Sequence, residues 1–204
     1  MPQSAEEICN LLSNPEEYSN FKCVEWWTTP QYNVFHIDLP TKDIMDWFES
    51  EKEATLSQMP LESRVQLEHI GSTSVPGMCG TKNPDAVMTV QIFPPQKKVI
   101  ETLLSLGFTL VKPPGKGGNR RKVQSVWFIK RIKSGCLKGQ YFKIHLARAD
   151  SRPARGLVKT RDILRTDNTS FEKYQEAKIQ ASQLLETDFT AYKAYKAKSL
   201  PNTY

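Results

Sequence analysis

The sequence lacks a long apolar run and a paired-cysteine motif, and it contains only 3 histidines. Its four cysteines, at positions 9, 23, 79 and 136, are scattered and form no C-x-x-C pair. We therefore expect reduced thiols rather than a disulfide framework or a structural zinc site. No apolar run approaches the roughly 20 residues that a membrane helix needs, and the N-terminus has no basic-then-apolar leader. The sequence thus predicts a cytoplasmic protein without a membrane partner.

Acidic residues are missing from a long stretch of the chain, residues 102–149, which contains neither Asp nor Glu. The same stretch carries 11 of the 28 basic residues: Lys112, Lys116, Arg120, Arg121, Lys122, Lys130, Arg131, Lys133, Lys138, Lys143 and Arg148. The rest of the chain is net negative. A concentrated positive field suits an anionic partner, such as an acidic protein. The alternative is a solvated hairpin whose lysines keep an edge strand from aggregating, and composition favours neither interpretation.

The overall composition is that of a globular chain, with 39% hydrophobic and 25% charged residues over 204 residues. This length is enough for one well-buried domain. We expect a single domain over residues 1–204. Its motif-bearing part spans about residues 40–200, and residues 1–39 form an N-terminal extension packed on it.

Apolar periodicity predicts helices and strands in mixed order. Ser4 and Glu7 have the spacing of a capping box, so a short helix is expected there. One strand-like pattern leads into the 71–74 turn and another follows it. Further strands are predicted at residues 21–27, 33–39, 108–111, 122–132 and 140–147. The last two of these are expected to pair as a hairpin across residues 133–135. Further helices are predicted from position 41 or 43, over 95–106, from 158, from 169 and near 192–200. The expected fold class is α+β, a mixed β-sheet flanked by helices with a C-terminal helical segment.

The most informative stretch reads Glu-His-Ile-Gly-Ser-Thr-Ser-Val-Pro-Gly at residues 68–77 and is followed by Asp85. A strand leads into a turn of glycine and small hydroxyl residues, and Asp85 then opens a second apolar run. Such a turn can hold phosphate, because glycine lets backbone N–H groups come close and hydroxyls add donors. A metal ion that bridges this phosphate would need a carboxylate nearby, which Asp85 supplies. Val87, two positions further on the same strand face, is apolar where a second carboxylate would be usual.

Two histidines and two arginines are further candidates. His69 and His145 each lie in a predicted strand, and together at one turn they would suit acid–base or metal chemistry. Arg161 and Arg165 are four residues apart on a predicted helix and share a face, so they could clamp an anion. A structural interpretation stays open for both pairs, as core histidines or as part of a surface helix with an Asp–Arg pair.

Taken together, these residues resemble the GrpB-like family, small proteins with a nucleotidyltransferase-type fold. The resemblance rests on the hallmark at residues 68–78 with Asp85, on His145-Leu146, and on the helix sequence Arg-Asp-Ile-Leu-Arg at residues 161–165. It covers about residues 40–200. Two departures from the family are visible. Ala147 replaces the second histidine of the family's His-Leu-His strand, and Asp85 is alone where the wider superfamily has a pair of aspartates.

The resemblance implies a nucleotide triphosphate as ligand and nucleotidyl transfer to an unknown acceptor as the reaction. The residues that would bind the substrate and neutralise its charge are Gly71, Ser72, Thr73, Ser74, Lys130, Lys143, Arg161 and Arg165. The catalytic residues would be Asp85, His145 and His69. Asp85 would also hold Mg²⁺, since magnesium keeps several waters and needs only one or two carboxylates beside the phosphates.

Two other functions stay open. Members of the family fused to dephospho-CoA kinase imply a non-catalytic module that assists folding, and here the basic stretch would dock an acidic protein partner. Charge reversal at Arg120 and Arg121 would then abolish partner binding, while Asp85→Ala would have no effect. Nucleic acid is the least favoured partner, because only one of the neighbouring strand residues Trp127 and Phe128 can face outward to stack on a base.

Overall fold

The computed structural model describes residues 4–21, 42–111, 123–184 and 189–200 of the 204-residue chain. Over these residues a five-stranded mixed sheet carries helices on both of its faces. This arrangement confirms the predicted α+β class. The strand predicted over 33–39, nearly all of the one predicted over 21–27, and the basic residues 112–122 lie outside the described part of the chain.

The sheet contains five strands: β1 (Gln66–Ile70), β2 (Asp85–Val90), β3 (Thr109–Val111), β4 (Ser125–Arg131) and β5 (Tyr141–Arg148). Their spatial order is β1-β2-β5-β4-β3. β2 and β5 run parallel, whereas the other neighbouring strands are antiparallel. β4 and β5 pair as predicted, but their connection runs over residues 132–140 rather than 133–135, and it buries Leu137 in the core.

The described residues include seven α-helices: α1 (Ala5–Ser13), α2 (Pro15–Asn20), α3 (Lys42–Leu56), α4 (Lys97–Ser105), α5 (Arg152–Thr166), α6 (Asn168–Ala181) and α7 (Phe189–Ala197). The predicted capping box is confirmed, because Ser4 and Glu7 each accept a hydrogen bond from the other's backbone N–H at 3.2 Å. α4 ends just before Gly107, whose φ of +83° suits a helix stop.

Two predicted helix starts are wrong. α5 begins at Arg152 instead of Val158, because the Ser151 hydroxyl accepts from the Ala154 N–H and caps the helix earlier. α6 is capped by Asp167, whose carboxylate accepts from the Thr169 and Ser170 N–H groups at 3.2 Å. Thr169 therefore lies inside the helix that it was predicted to open.

Side-chain alternation gives the sheet two faces. The core face carries buried apolar residues that pack against α1, α3 and α4, among them Ala86, Met88, Ile144 and Leu146. The site face carries the alternate positions Asp85, Val87, Lys143 and His145. α5 covers part of the site face, where Ala154 packs with Ile70, Val87 and Ala147. The sheet thus separates the main core from the layer that contains the candidate chemistry.

None of the described helices is long and apolar enough to cross a membrane. The cysteines at positions 9, 79 and 136 are free thiols, and they range from buried to exposed. The first helix belongs to the main core, because Ile8, Leu11 and Leu12 are buried in it and Lys97 of α4 donates to Glu6 at 3.0 Å.

Candidate functional site

The Gly-Ser turn begins where β1 ends. Gly71 has φ +71° and ψ −173°, a conformation that only glycine adopts readily, and residues Ser72–Ser74 then form one turn of 3₁₀ helix. The Ser74 N–H donates to the Gly71 carbonyl at 3.2 Å, and the Ser74 hydroxyl donates to the same oxygen at 2.7 Å. The turn is therefore closed by its own hydrogen bonds, and the buried Ser74 hydroxyl is used within it.

Asp85 lies directly against this turn. It opens β2 opposite Ile70, the last residue of β1. A Cβ atom placed on Gly71 would come within 2.9 Å of the Asp85 Oδ2 atom. The absence of a side chain at position 71 thus lets the carboxylate approach the turn, as the sequence motif predicts.

Lys143 forms an ion pair with Asp85 on the site face. The two residues are directly opposite each other on the parallel strands β2 and β5, and Lys143 Nζ is 2.5 Å from Asp85 Oδ1. The side chains are 19% and 27% exposed, so solvent reaches both. On its other side the ammonium lies 5.0 Å from the centre of the Trp127 ring. The lysine is held between a carboxylate and an aromatic face.

His145 lies behind this ion pair. Its Nε2 atom is 4.0 Å from Asp85 Oδ1, and its ring packs edge-on against Trp127 at 4.9 Å between centroids. Burial lowers the pKa of His145 to about 3, and the neighbouring Lys143 charge acts in the same direction. The imidazole is therefore neutral near pH 7. It can exchange a proton only if a ligand changes its surroundings.

His69 lies on the opposite face of the sheet from His145 and Asp85. Its ring stacks on Phe48 of α3, with centroids 4.0 Å apart and planes at 11°. Its Nε2 atom is 2.9 Å from the Thr73 hydroxyl, and both side chains are buried. This placement corrects the expectation of a two-histidine site and of Thr73 as a phosphate donor. β1 alternates, so a residue next to Ile70 must face away from Asp85.

Lys130 also faces the core side of the sheet. It is paired across the strands with Phe142, and its ammonium makes an ion pair with Glu51 of α3 and lies 4.8 Å from the Phe108 ring centre. These contacts correct one expectation. Lys130 is not beside Asp85, and its ammonium is used in the ion pair with Glu51.

Arg161 and Arg165 dock α5 onto the motif. The Arg161 guanidinium donates to the Glu68 carboxylate at 2.9 Å and to the His69 carbonyl at 3.0 Å. Arg165 donates two hydrogen bonds to the Ser74 carbonyl, at 3.0 and 2.7 Å. The two arginines share a helix face as predicted, but that face holds β1 and the turn in place. The donors named here already have protein partners, and the role of the two arginines as a phosphate clamp stays a prediction.

Two residues of α6 approach the turn and were not among the predicted site residues. Lys178 is 1% exposed. A Cβ atom placed on Gly80 would lie 3.4 Å from the Lys178 Nζ atom and 2.7 Å from the Ser72 hydroxyl, so both groups are close to Gly80. Tyr174, one helical turn earlier, lies beneath that ammonium at 5.6 Å. Burial raises the pKa of the Tyr174 phenol, and the Asp85 charge adds to the shift. The four-residue spacing of Tyr174 and Lys178 was the only sequence signal that placed them together.

We call Gly71, Ser72, Asp85, Lys143 and Lys178 the turn cluster. Its members come from the turn, from the parallel strands β2 and β5, and from α6. Asp85, Lys143 and Lys178 are far apart in the chain and come together only in the folded structure. The pairing of β2 with β5 brings Lys143 to Asp85, and the packing of α6 brings Lys178 to the Ser72 side of the motif.

Comparison with known proteins identifies the family. The family model for GrpB protein matches residues 36–204. The chain belongs to the GrpB family. UPF0157 protein BH1888 of Halalkalibacterium halodurans is 26% identical over 120 residues, a match that covers 58% of this chain and 55% of that protein. The matched part therefore spans little more than half of this curated relative.

Solved structures share the fold. A crystal structure of conserved protein GrpB from Enterococcus faecalis has a TM-score of 0.60 at 18% identity and covers 80% of this chain and 96% of that chain. The GLD-2/RNP-8 complex gives a TM-score of 0.50 at 11% identity, over 77% of this chain and 58% of that chain. These likenesses confirm the nucleotidyltransferase-like fold of this GrpB family member. Identities this low extend to the fold alone.

The donors around Asp85 do not fit a magnesium ion. Magnesium requires near-octahedral oxygen ligands at about 2.0–2.1 Å, commonly from more than one carboxylate in phosphoryl transfer. In this GrpB chain Asp85 Oδ1 is paired with the Lys143 ammonium, and the next site-face position is the apolar Val87. Among the described residues, no three His, Cys, Asp or Glu side chains are grouped so that they could hold a metal ion.

We expect His69 to make the protein less stable as the pH falls. Its pKa is lowered by burial from 6.5 to about 4, so between these values only the unfolded chain takes up the proton. The stabilisation is complete above about pH 6.5 and is lost toward pH 4, by about 3 kcal/mol at 1.36 kcal/mol per pKa unit. Urea unfolding from about pH 7 to about pH 4.5 should show a smaller pH dependence for His69→Gln than for the wild type. Equal pH dependence in the two proteins would contradict the buried, neutral state of His69.

Proposed function

We propose that the turn cluster binds the phosphate groups of a nucleoside triphosphate. The observation that carries the proposal is that the motif brings in two ammonium groups from separate elements. Lys143 pairs with Asp85, which lies against Gly71, and Lys178 approaches Gly80 together with the Ser72 hydroxyl. Ammonium groups and a serine hydroxyl are donors that phosphate oxygens accept, and a partly desolvated site strengthens these bonds. Gly71 is exposed, and Asp85 and Lys143 are partly exposed, so a ligand can reach the cluster from solvent.

The catalytic form of this proposal is nucleotidyl transfer to a hydroxyl-bearing acceptor. The acceptor oxygen would form a bond to the α-phosphorus, while the bond from that phosphorus to the bridging oxygen breaks and pyrophosphate leaves. The acceptor proton would pass to Asp85, whose carboxylate lies at the turn. Lys143 would offset the negative charge that develops on the phosphate oxygens. We place this activity in the cytoplasm, where triphosphates are supplied.

The binding proposal is tested by thermal unfolding with each of the four common nucleoside triphosphates in buffer that contains magnesium. A triphosphate present at a hundred times its Kd should stabilise the protein by about 2.7 kcal/mol. Lys178→Met should greatly reduce this stabilisation relative to its own ligand-free midpoint. Lys138→Met, at an exposed position in the β4–β5 connection, is the matched control and should respond like the wild type.

Two outcomes decide against the proposal. If none of the four triphosphates shifts the midpoint, the turn cluster is not a triphosphate site. If Lys138→Met and Lys178→Met lose the same part of the shift, binding follows net charge rather than the cluster. Release of pyrophosphate from a stabilising triphosphate, measured with a range of hydroxyl acceptors, then tests the catalytic form separately.

A further inference from the structure

We infer that the Lys143 ammonium is the resident cation of the turn cluster, so that a triphosphate binds there without a divalent metal ion. The inference rests on the proposed function and says which group at the site neutralises the negative charge of the ligand. It also departs from the magnesium-dependent site that the family resemblance implies.

The register of the sheet places Lys143 where a bridging metal ion would be needed. β2 and β5 are parallel neighbours, and Asp85, the first residue of β2, is opposite Lys143 at the end of β2 beside the Gly-Ser turn. The ammonium is 2.5 Å from Asp85 Oδ1, so the two groups form an ion pair. The face of Trp127, at 5.0 Å, supports the same position from the other side.

A magnesium ion at the same carboxylate would meet an adverse arrangement. It would have to displace the Lys143 ammonium or lie close to it, and the two positive charges would repel each other. The next site-face position of β2 is the apolar Val87, and the carboxylate across from it on β1, that of Glu68, is already paired with Arg161. On β5 the residue across from Val87 is His145, which is 4.0 Å from the same Asp85 oxygen.

The ammonium can perform the bridging that a metal ion performs in other phosphate sites. A lysine has three N–H donors in a rotatable group. One of them serves Asp85, and the others can serve phosphate oxygens of a bound ligand. Lys178, which approaches Gly80 together with the Ser72 hydroxyl, adds a second amino group. The cluster thereby holds two lysines against one carboxylate, a balance that suits an anion without an accompanying cation.

The test compares ATP binding by calorimetry in excess EDTA with binding in excess magnesium. We expect the Kd values in the two buffers to agree within about threefold, because Lys143 rather than a metal ion binds the phosphates. Lys143→Met should weaken binding in EDTA by at least about tenfold. Lys138→Met, the exposed control, should bind like the wild type in both buffers.

The variant Asp85→Asn best separates phosphate binding through Lys143 from phosphate binding through a metal ion on Asp85. If a metal ion on Asp85 held the phosphates, this variant would lose binding in magnesium. If Lys143 holds them, the variant should bind ATP at least as tightly as the wild type, because a negative charge beside the ligand has been removed. Asparagine has the same shape as aspartate, so the variant also serves if Lys143→Met does not fold.

Each outcome has a separate meaning. Wild-type binding in magnesium but not in EDTA overturns this inference and leaves the proposed function intact. Loss of binding in Asp85→Asn, or full retention in Lys143→Met, also overturns it. If ATP and the other three common triphosphates all fail to bind in either buffer, the proposed function itself is removed, and the inference with it.

Discussion

Gly71→Val is expected to lower the free energy of unfolding by about 4 kcal/mol and to abolish any stabilisation by a triphosphate. Two effects add at this position. The backbone conformation, with φ +71° and ψ −173°, is almost exclusive to glycine and costs other residues about 1–3 kcal/mol. The new Cβ atom would also come within 2.9 Å of Asp85 Oδ2 and 3.3 Å of Asp85 Cβ. The ion pair between Asp85 and Lys143 would then have to move.

Gly135→Val is the matched control for this prediction. Gly135 also has a positive φ, +78°, but a Cβ atom there would meet nothing within 4 Å. The control should show the cost of the backbone conformation, about 1–2 kcal/mol, and should keep the response to a triphosphate. Urea unfolding with and without the ligand measures both quantities. If the two variants lost similar amounts of unfolding free energy, the close approach of Asp85 to the turn would contribute nothing to the cost of Gly71→Val.

Phe142→Ala is expected to destabilise the protein by about 4 kcal/mol, because it opens a cavity at the centre of the main core. The Phe142 ring is fully buried and makes edge-to-face contacts with Trp47, Phe48 and Phe108, at 5.4, 6.0 and 5.6 Å between centroids. It therefore joins β5 to α3 and to the residue that precedes β3. A loss of this size is a large part of the stability of a typical domain, about 5–15 kcal/mol.

Phe142→Leu is the control, since it keeps most of the buried area and loses mainly the aromatic contacts. Its expected cost is about 1.5 kcal/mol, and both variants are compared by urea unfolding. A cost below about 1 kcal/mol for Phe142→Ala would show that the surrounding rings collapse into the space, contrary to the packing described.

The local elements could be predicted because their determinants are neighbours in the chain. The capping box at Ser4, the helix stop at Gly107 and the turn before Ser72 each depend on a few adjacent residues. Alternation along β2 likewise placed Asp85 and Val87 on one face. The start of α6 was missed, since Asp167 and Thr169 are both good caps and only the observed hydrogen bonds distinguish them.

The candidate site was predicted only in part. Asp85 and Lys143 were both candidate site residues, but their ion pair was not predicted, and His69 and Lys130 face the core. His69 and Lys130 each lie in a strand with a clear alternation of side chains. That alternation does not tell which face of the sheet packs against the main core. The approach of Lys178 to Ser72 had even less signal, because the two residues are about a hundred positions apart in the chain.

Residue type and short-range spacing were enough to predict the family, the Gly-Ser turn, the strand that begins at Asp85 and the apolar character of Val87. These properties act within a few bonds of the backbone. The surroundings of Asp85 depend instead on contacts between distant segments. The parallel register of β2 and β5 sets Lys143 opposite the carboxylate, and the packing of α6 brings Lys178 to the turn. Contacts of this kind depend on how distant segments bury their apolar faces against each other, and no local pattern encodes them.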